Sequence, residues 1–117
     1  MNIIFISDFS NEAASKTNGL VLKELLDTLL TSQENDIVVD FSGVSRFASP
    51  FFNCSFAALA LIHGFDAIRS IQLKNIGPVG LDTYNTSMTN AEQVSLHPEH
   101  IAEINQIIDN TPKKVTL

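Results

Sequence analysis

The sequence predicts an α/β domain built on a small, mainly parallel or mixed sheet of three to four strands flanked by helices. Three observations lead there. Ile37-Val38-Val39 is a continuous β-branched run, which suits a strand covered on both faces. Phe51, Phe52, Phe56, Ala57, Ala58, Leu59, Ala60, Leu61 and Ile62 make the stretch that follows apolar almost all round, as in a helix packed on most of its circumference. Around these two, segments of strand type alternate with segments of helical periodicity, which implies right-handed crossovers and parallel pairing.

Taken in order, Ile3 to Ile6 read as a first short strand, and Ser7 to Thr17 as polar loop with a helix start between Ser10 and Thr17. From Leu20, Leu22, Leu25, Leu26, Leu29 and Leu30 form one stripe, with Lys23, Glu24, Asp27 and Thr28 opposite, an amphipathic helix with one face on the core. Ser32 to Asn35 end it. After the Ile37–Val39 strand, Ser49 is expected as N-cap, Pro50 as first helical residue and Gly64 as the stop. Phe65 to Arg69 suggests a further helical turn. Ile71 to Ile76 alternates apolar and polar residues, a strand closer to an edge. Gly77-Pro78 is read as a break, and Val79 to Gln93 as helix, with Leu81, Tyr84 and Met88 at helical spacing. Pro98 and Glu99 open a last helix, whose stripe is Ile101, Ile104, Ile107 and Ile108 and which Asn110-Thr111-Pro112 stops.

The 117 residues make one domain, 96–117 being its C-terminal helix and tail, and at 44% apolar the chain is globular. A formal charge of −6, with Lys113-Lys114 the only basic pair, argues against a nucleic-acid surface. The apolar run from Pro50 to Ile62 is interrupted by Asn53 and Ser55 and is shorter than the roughly 20 residues of a membrane span. Ile3–Ile6 lacks the basic flank and length of a signal peptide, so the expected location is cytoplasmic. Cys54, the single cysteine, sits inside the apolar helix and reads as a small buried hydrophobe.

Catalytic constellations are thin. Asp40, at the end of the buried strand, stands where α/β folds often place functional groups, and equally where it would cap the Ser42-Gly43 turn. His63 is placed to be structural at its helix end, and His97 and His100 have no third ligand beside them for a metal. No phosphate-binding glycine loop and no nucleophile elbow occur. No catalytic residue, metal or cofactor is therefore assigned. Ser49 is the exception of interest: a hydroxyl at a helix start suits phosphorylation, which would add roughly −1.5 to −2 charge beside Phe51 and Phe52 and turn an apolar docking face into a charged one.

The run Val39-Asp40-Phe41-Ser42-Gly43-Val44, followed by Phe47-Ala48-Ser49-Pro50-Phe51-Phe52-Asn53, resembles the STAS superfamily, the fold of anti-sigma factor antagonists. The likeness is greatest to a branch of short STAS-like bacterial proteins with an Asp-Phe-x-Gly-Val strand end and a Ser-Pro-Phe helix start. It runs from Ile3 to Val94, with Gly19 and the leucine helix at matching places. The resemblance implies a non-catalytic regulatory module that binds a protein partner, a GHKL-type ATPase or kinase, at the start of this helix. The serine that such kinases phosphorylate falls on Ser49; Ala48 stands where those antagonists carry an acidic residue. On this reading Asp40, Ser45, Arg46, Phe47, Ser49, Pro50, Phe51, Phe52 and Asn53 form the partner surface. The alternatives are a small hydrolase or transferase using Asp40 with Ser49 or His63, and a structural homodimer subunit.

Overall fold

The structure, a computed structural model, describes residues 2–96. β1 (Asn2–Phe5), β3 (Ile37–Asp40) and β5 (Gln72–Lys74) form a parallel sheet in the order β1-β3-β5. In register, Ile4 faces Val39 and Val39 faces Leu73. This is the small α/β sheet that the alternating pattern predicts, with the β-branched run in the centre.

A second sheet was not legible in the sequence. β2 (Glu12–Ala13) pairs in parallel with β4 (Arg46–Phe47), two residues each. Neither pair has the length or alternation that marks a strand; the pairing exists because the chain on both sides is already fixed. The Ser7–Thr17 loop thus resolves into a 3-10 turn (Ile6–Asp8), β2 and the start of α1 (Lys16–Thr31). Ser15 caps α1, its hydroxyl accepting from Asn18 N–H at 3.1 Å. Leu22 and Leu26 are fully buried, whereas Leu25, expected in the same stripe, sits at its exposed rim.

The apolar helix begins one residue earlier than expected. Ala48 is the N-cap, in extended conformation, and Ser49 is the first residue of α2 (Ser49–Phe52). The cause lies in the small sheet: Ala48 N–H donates to the Ala13 carbonyl at 3.0 Å, which carries the strand geometry through Ala48. A π-helical turn (Asn53–Ala57) follows, then α3 (Ala58–His63). Ser55 Oγ–H donates to the Phe51 carbonyl at 2.7 Å, a back-bond to residue i−4 inside the helix ladder. Gly64, at φ 102°, then turns the chain into α4 (Phe65–Arg69).

Gly77 and Pro78 open α5 (Gly77–Ser95) rather than breaking the chain, since proline's fixed φ suits a first helical turn. Its buried face is Gly80, Tyr84, Ser87, Met88 and Ala91, while Leu81 lies outward. All helices contribute to one core: Leu22, Phe51, Phe52, Phe56, Leu59, Ile68, Tyr84 and Met88 cluster on the Val39 face of the sheet. Phe52 is its hub, 5.1 Å from Phe51, 6.0 Å from Phe56, 6.2 Å from Phe41 and 6.2 Å from Tyr84 between ring centroids. Cys54 is buried, as expected. Among the described residues no helix is long and apolar enough to cross a membrane. The expected last helix, with His97, His100 and its isoleucine stripe, lies outside the described residues.

Candidate functional site

The C-terminal ends of β3 and β5, the β4 strand and the start of α2 meet at one end of the sheet, so most of the residues singled out by sequence are near neighbours along this rim. Asp40 ends β3 as a polar anchor. Its Oδ1 accepts from Ser42 N–H at 2.8 Å, Ser42 Oγ–H at 2.6 Å and Asn75 Nδ2–H at 3.0 Å, and Asn75 also donates to Ser42 Oγ at 2.9 Å. These hydrogen bonds, the Ser42 hydroxyl first, hold the carboxyl below its usual range. Asn75 takes φ 57°, a left-handed conformation asparagine tolerates, to aim its amide there. The turn-capping reading of Asp40 is the one realised.

β4 is fixed by its neighbours. Ser45 N–H donates to the Asn11 carbonyl at 2.9 Å and its hydroxyl reaches the same oxygen at 3.3 Å. Phe47 is half-buried, 6.0 Å from Phe41, and a Cβ on Gly80 would lie 2.7 Å from its ring, so the first turn of α5 rests on it. Ser45, Arg46 and Ser49 are exposed and Pro50 is half-buried. Ser49 makes no capping hydrogen bond, as befits a residue inside the first turn rather than before it.

Three expected members of the surface are elsewhere. Phe51 and Phe52 are fully buried in the core, where they pack on Phe41 and on each other. Asn53 points to α5, its Oδ1 accepting from the buried Ser87 hydroxyl at 2.6 Å. Sequence reasoning missed Val79, one residue from the Gly80–Phe47 contact and 67% exposed. An apolar residue off the Tyr84–Met88 stripe was the available signal.

Asp40 is hydrogen-bonded to Ser42 and Asn75, and neither Ser49 nor His63 is among these partners. Ser49 and His63 stand at opposite ends of the α2–α3 run, roughly 20 Å apart at helical rise. His63 instead pairs with Asp27 of α1 through Nε2 at 2.8 Å, the structural role expected of it. Among the described residues no group of three or more His, Cys, Asp or Glu could hold a metal ion.

Residues 19–81, more than half of the chain, match the family described as a STAS-like domain of unknown function (DUF4325). The chain belongs to this family. No curated protein and no solved structure matches it. The STAS-like match opens at Gly19, inside α1, and closes in the first turns of α5, so it takes in most of α1, with β3, β4, the apolar helix and β5. It leaves out β1 and β2. The Asp40 anchor, the β4 strand and the Ser49 helix start of the STAS-like domain all fall within it.

Proposed function

We propose that this STAS-like domain is a non-catalytic regulatory module that binds a protein partner at the β4–α2 junction and is switched by phosphorylation of Ser49, the partner being an ATPase or kinase of the GHKL type. The observation that carries the reading is the exposure of Arg46 and Ser49 on either side of half-buried Phe47, on backbone held rigid by β2 and by α5. The surface comprises Ser45, Arg46, Phe47, Ser49, Pro50 and Val79. It is mixed, apolar in its middle and polar at its edge, as transient interfaces are. A phosphate on Ser49 adds roughly −1.5 to −2 charge at the first turn of a helix, where the helix end favours it and an apolar partner does not.

The test compares capture of partners from the native cells by wild type, Arg46→Glu, Val79→Lys and Ser49→Asp, with thermal stability measured alongside. A partner held by wild type and lost by all three stable variants supports the surface, and phosphate found on Ser49 of the native protein supports the switch. Equal retention by every variant sinks both.

A second reading has its own observation. Leu20, Val21 and Leu25 are exposed together on α1, which suits pairing with a second copy in a homodimer. Sedimentation of wild type against Val21→Lys/Leu25→Lys decides it: a dimer that the substitutions dissociate favours this reading, and a monomeric wild type removes it.

A further inference from the structure

The β1-β3-β5 sheet ends on β1 and β5, whose outer edges pair with no other strand among the described residues. The two edges differ. Asn2 N–H donates to the Asp36 carbonyl at 3.1 Å, so in this parallel pair the backbone groups of Asn2 and Ile4 face β3. The N–H and C=O of Ile3, with the N–H of Phe5, therefore point away from the sheet. The Phe5 carbonyl serves the 3-10 turn that Phe5 caps. At the other edge, Phe41 N–H donates to the Lys74 carbonyl at 2.8 Å, which leaves only Leu73 of β5 with its backbone turned outward. β5 is three residues long with Gln72 and Lys74 exposed, the short, charged form in which natural sheets blunt an edge. β1 has four residues, no charge, no proline and no bulge in its register with β3. Ile3 is 44% and Phe5 40% exposed, on the sheet face away from Ile4. An uncharged apolar edge of this kind is a template for another strand.

We propose that β1 pairs antiparallel with β1 of a second copy of this chain across a two-fold axis, joining the two sheets edge to edge. The strand is self-complementary. With the axis at Ile3, its outward N–H and C=O exchange hydrogen bonds with Ile3 of the second copy, the closed exchange of an antiparallel pair. Phe5, on the same face, then lies diagonal to the second copy's Ile3, a separation that an aromatic side chain spans. Ile3 and Phe5 of both copies thus form one apolar cluster from side chains that each copy alone leaves partly exposed. Charge selects the occupant. Each copy carries −6, yet β1 holds none of it, so self-pairing sets no like charges opposite one another in the strands. The same lack of charge gives a foreign strand nothing to recognise beyond backbone. A contact built on one four-residue strand per copy belongs among the small, transient interfaces, under roughly 1,200 Å². β1 lies outside residues 19–81, so this pairing does not rest on the family match, and it is distinct from the α1 face.

Sedimentation of the full chain over a hundredfold range of concentration tests the pairing. The mass should rise toward twice that of the monomer, and Ile3→Pro should hold it at the monomer. That substitution deletes an N–H that points away from β3, so the β1–β3 ladder survives it, as proline is tolerated on an edge strand. Thermal unfolding checks that the variant is folded. Val21→Lys/Leu25→Lys should leave the association unchanged. A monomer at every concentration overturns the proposal. So does a dimer that a folded Ile3→Pro leaves intact, and its loss in Val21→Lys/Leu25→Lys would then assign the contact to α1. Amide exchange of the wild type gives a readout free of mutation. Ile3 N–H should exchange several-fold more slowly in the concentrated sample, while Ile4 N–H, turned toward β3, keeps its rate. Equal rates for Ile3 in dilute and concentrated samples overturn the proposal.

Discussion

Gly19 of α1 lies so close to Phe51 of α2 that a Cβ on the glycine would come within 2.6 Å of the Phe51 carbonyl oxygen and 3.1 Å of Cys54 Cβ. The obstructing atom is backbone, which cannot swing aside as a side chain can. The same carbonyl accepts the Ser55 hydroxyl, so the contact sits where the helix passes into its π-helical turn. The packing of α1 on the helix that carries Ser49 thus depends on one missing methyl group.

Gly19→Ala should destabilise the domain by about 1–3 kcal/mol, the range for overpacking, even though alanine is the better helix former. Thermal unfolding reads the loss. An unchanged or raised midpoint would show that α1 can withdraw without penalty.

Phe52→Ala should cost about 3–5 kcal/mol, because Phe52 is fully buried against four other rings. Denaturant titration measures it. A loss under 1 kcal/mol would contradict the central place of this ring, and Phe51 or Phe52 variants that lose binding report on folding rather than on a surface.

Ser87→Ala should cost about 0.5–1.5 kcal/mol through loss of the part-buried hydrogen bond from its hydroxyl to the Asn53 side-chain oxygen. In a double-mutant cycle with Asn53→Ala, the second change should then add little. Additive losses would show that the two residues stabilise independently.

The Asp40 anchor carries a pH signature. Its carboxyl is held below the usual value of 3.8 by hydrogen bonds from Ser42 and Asn75. A depressed folded-state value means that the stabilisation is complete above the unfolded-state value and is lost as pH falls through the folded-state one. Wild type should therefore lose stability in acid faster than Asp40→Asn, with the two curves converging below that range. Parallel curves from neutral pH to pH 3 would remove Asp40 from the anchor.

Phosphorylation at Ser49 should leave the fold standing, since the residue is exposed and bonds to no cap. Ser49→Asp should unfold within about 0.5 kcal/mol of wild type, as surface substitutions do. A much larger loss would tie Ser49 to stability instead of signalling.

The sequence by itself determined the α/β class, the central β-branched strand, the apolar helix and its stop at Gly64, and the structural role of Asp27's partner His63. These follow from periodicity and chain-breaking residues, which are local. It also carried the resemblance that the STAS-like family match bears out. Tertiary structure alone decided the rest. β2 and β4 are too short to declare themselves, and they pair only because neighbouring segments bring Glu12–Ala13 beside Arg46–Phe47. That pairing extends the strand through Ala48 and moves the helix start, so Ser49 is not the cap. The direction in which Phe51, Phe52 and Asn53 point was equally closed to sequence: a helix apolar on every side has no pattern to say which residues meet the sheet, and only packing against α1, α5 and Phe41 chooses.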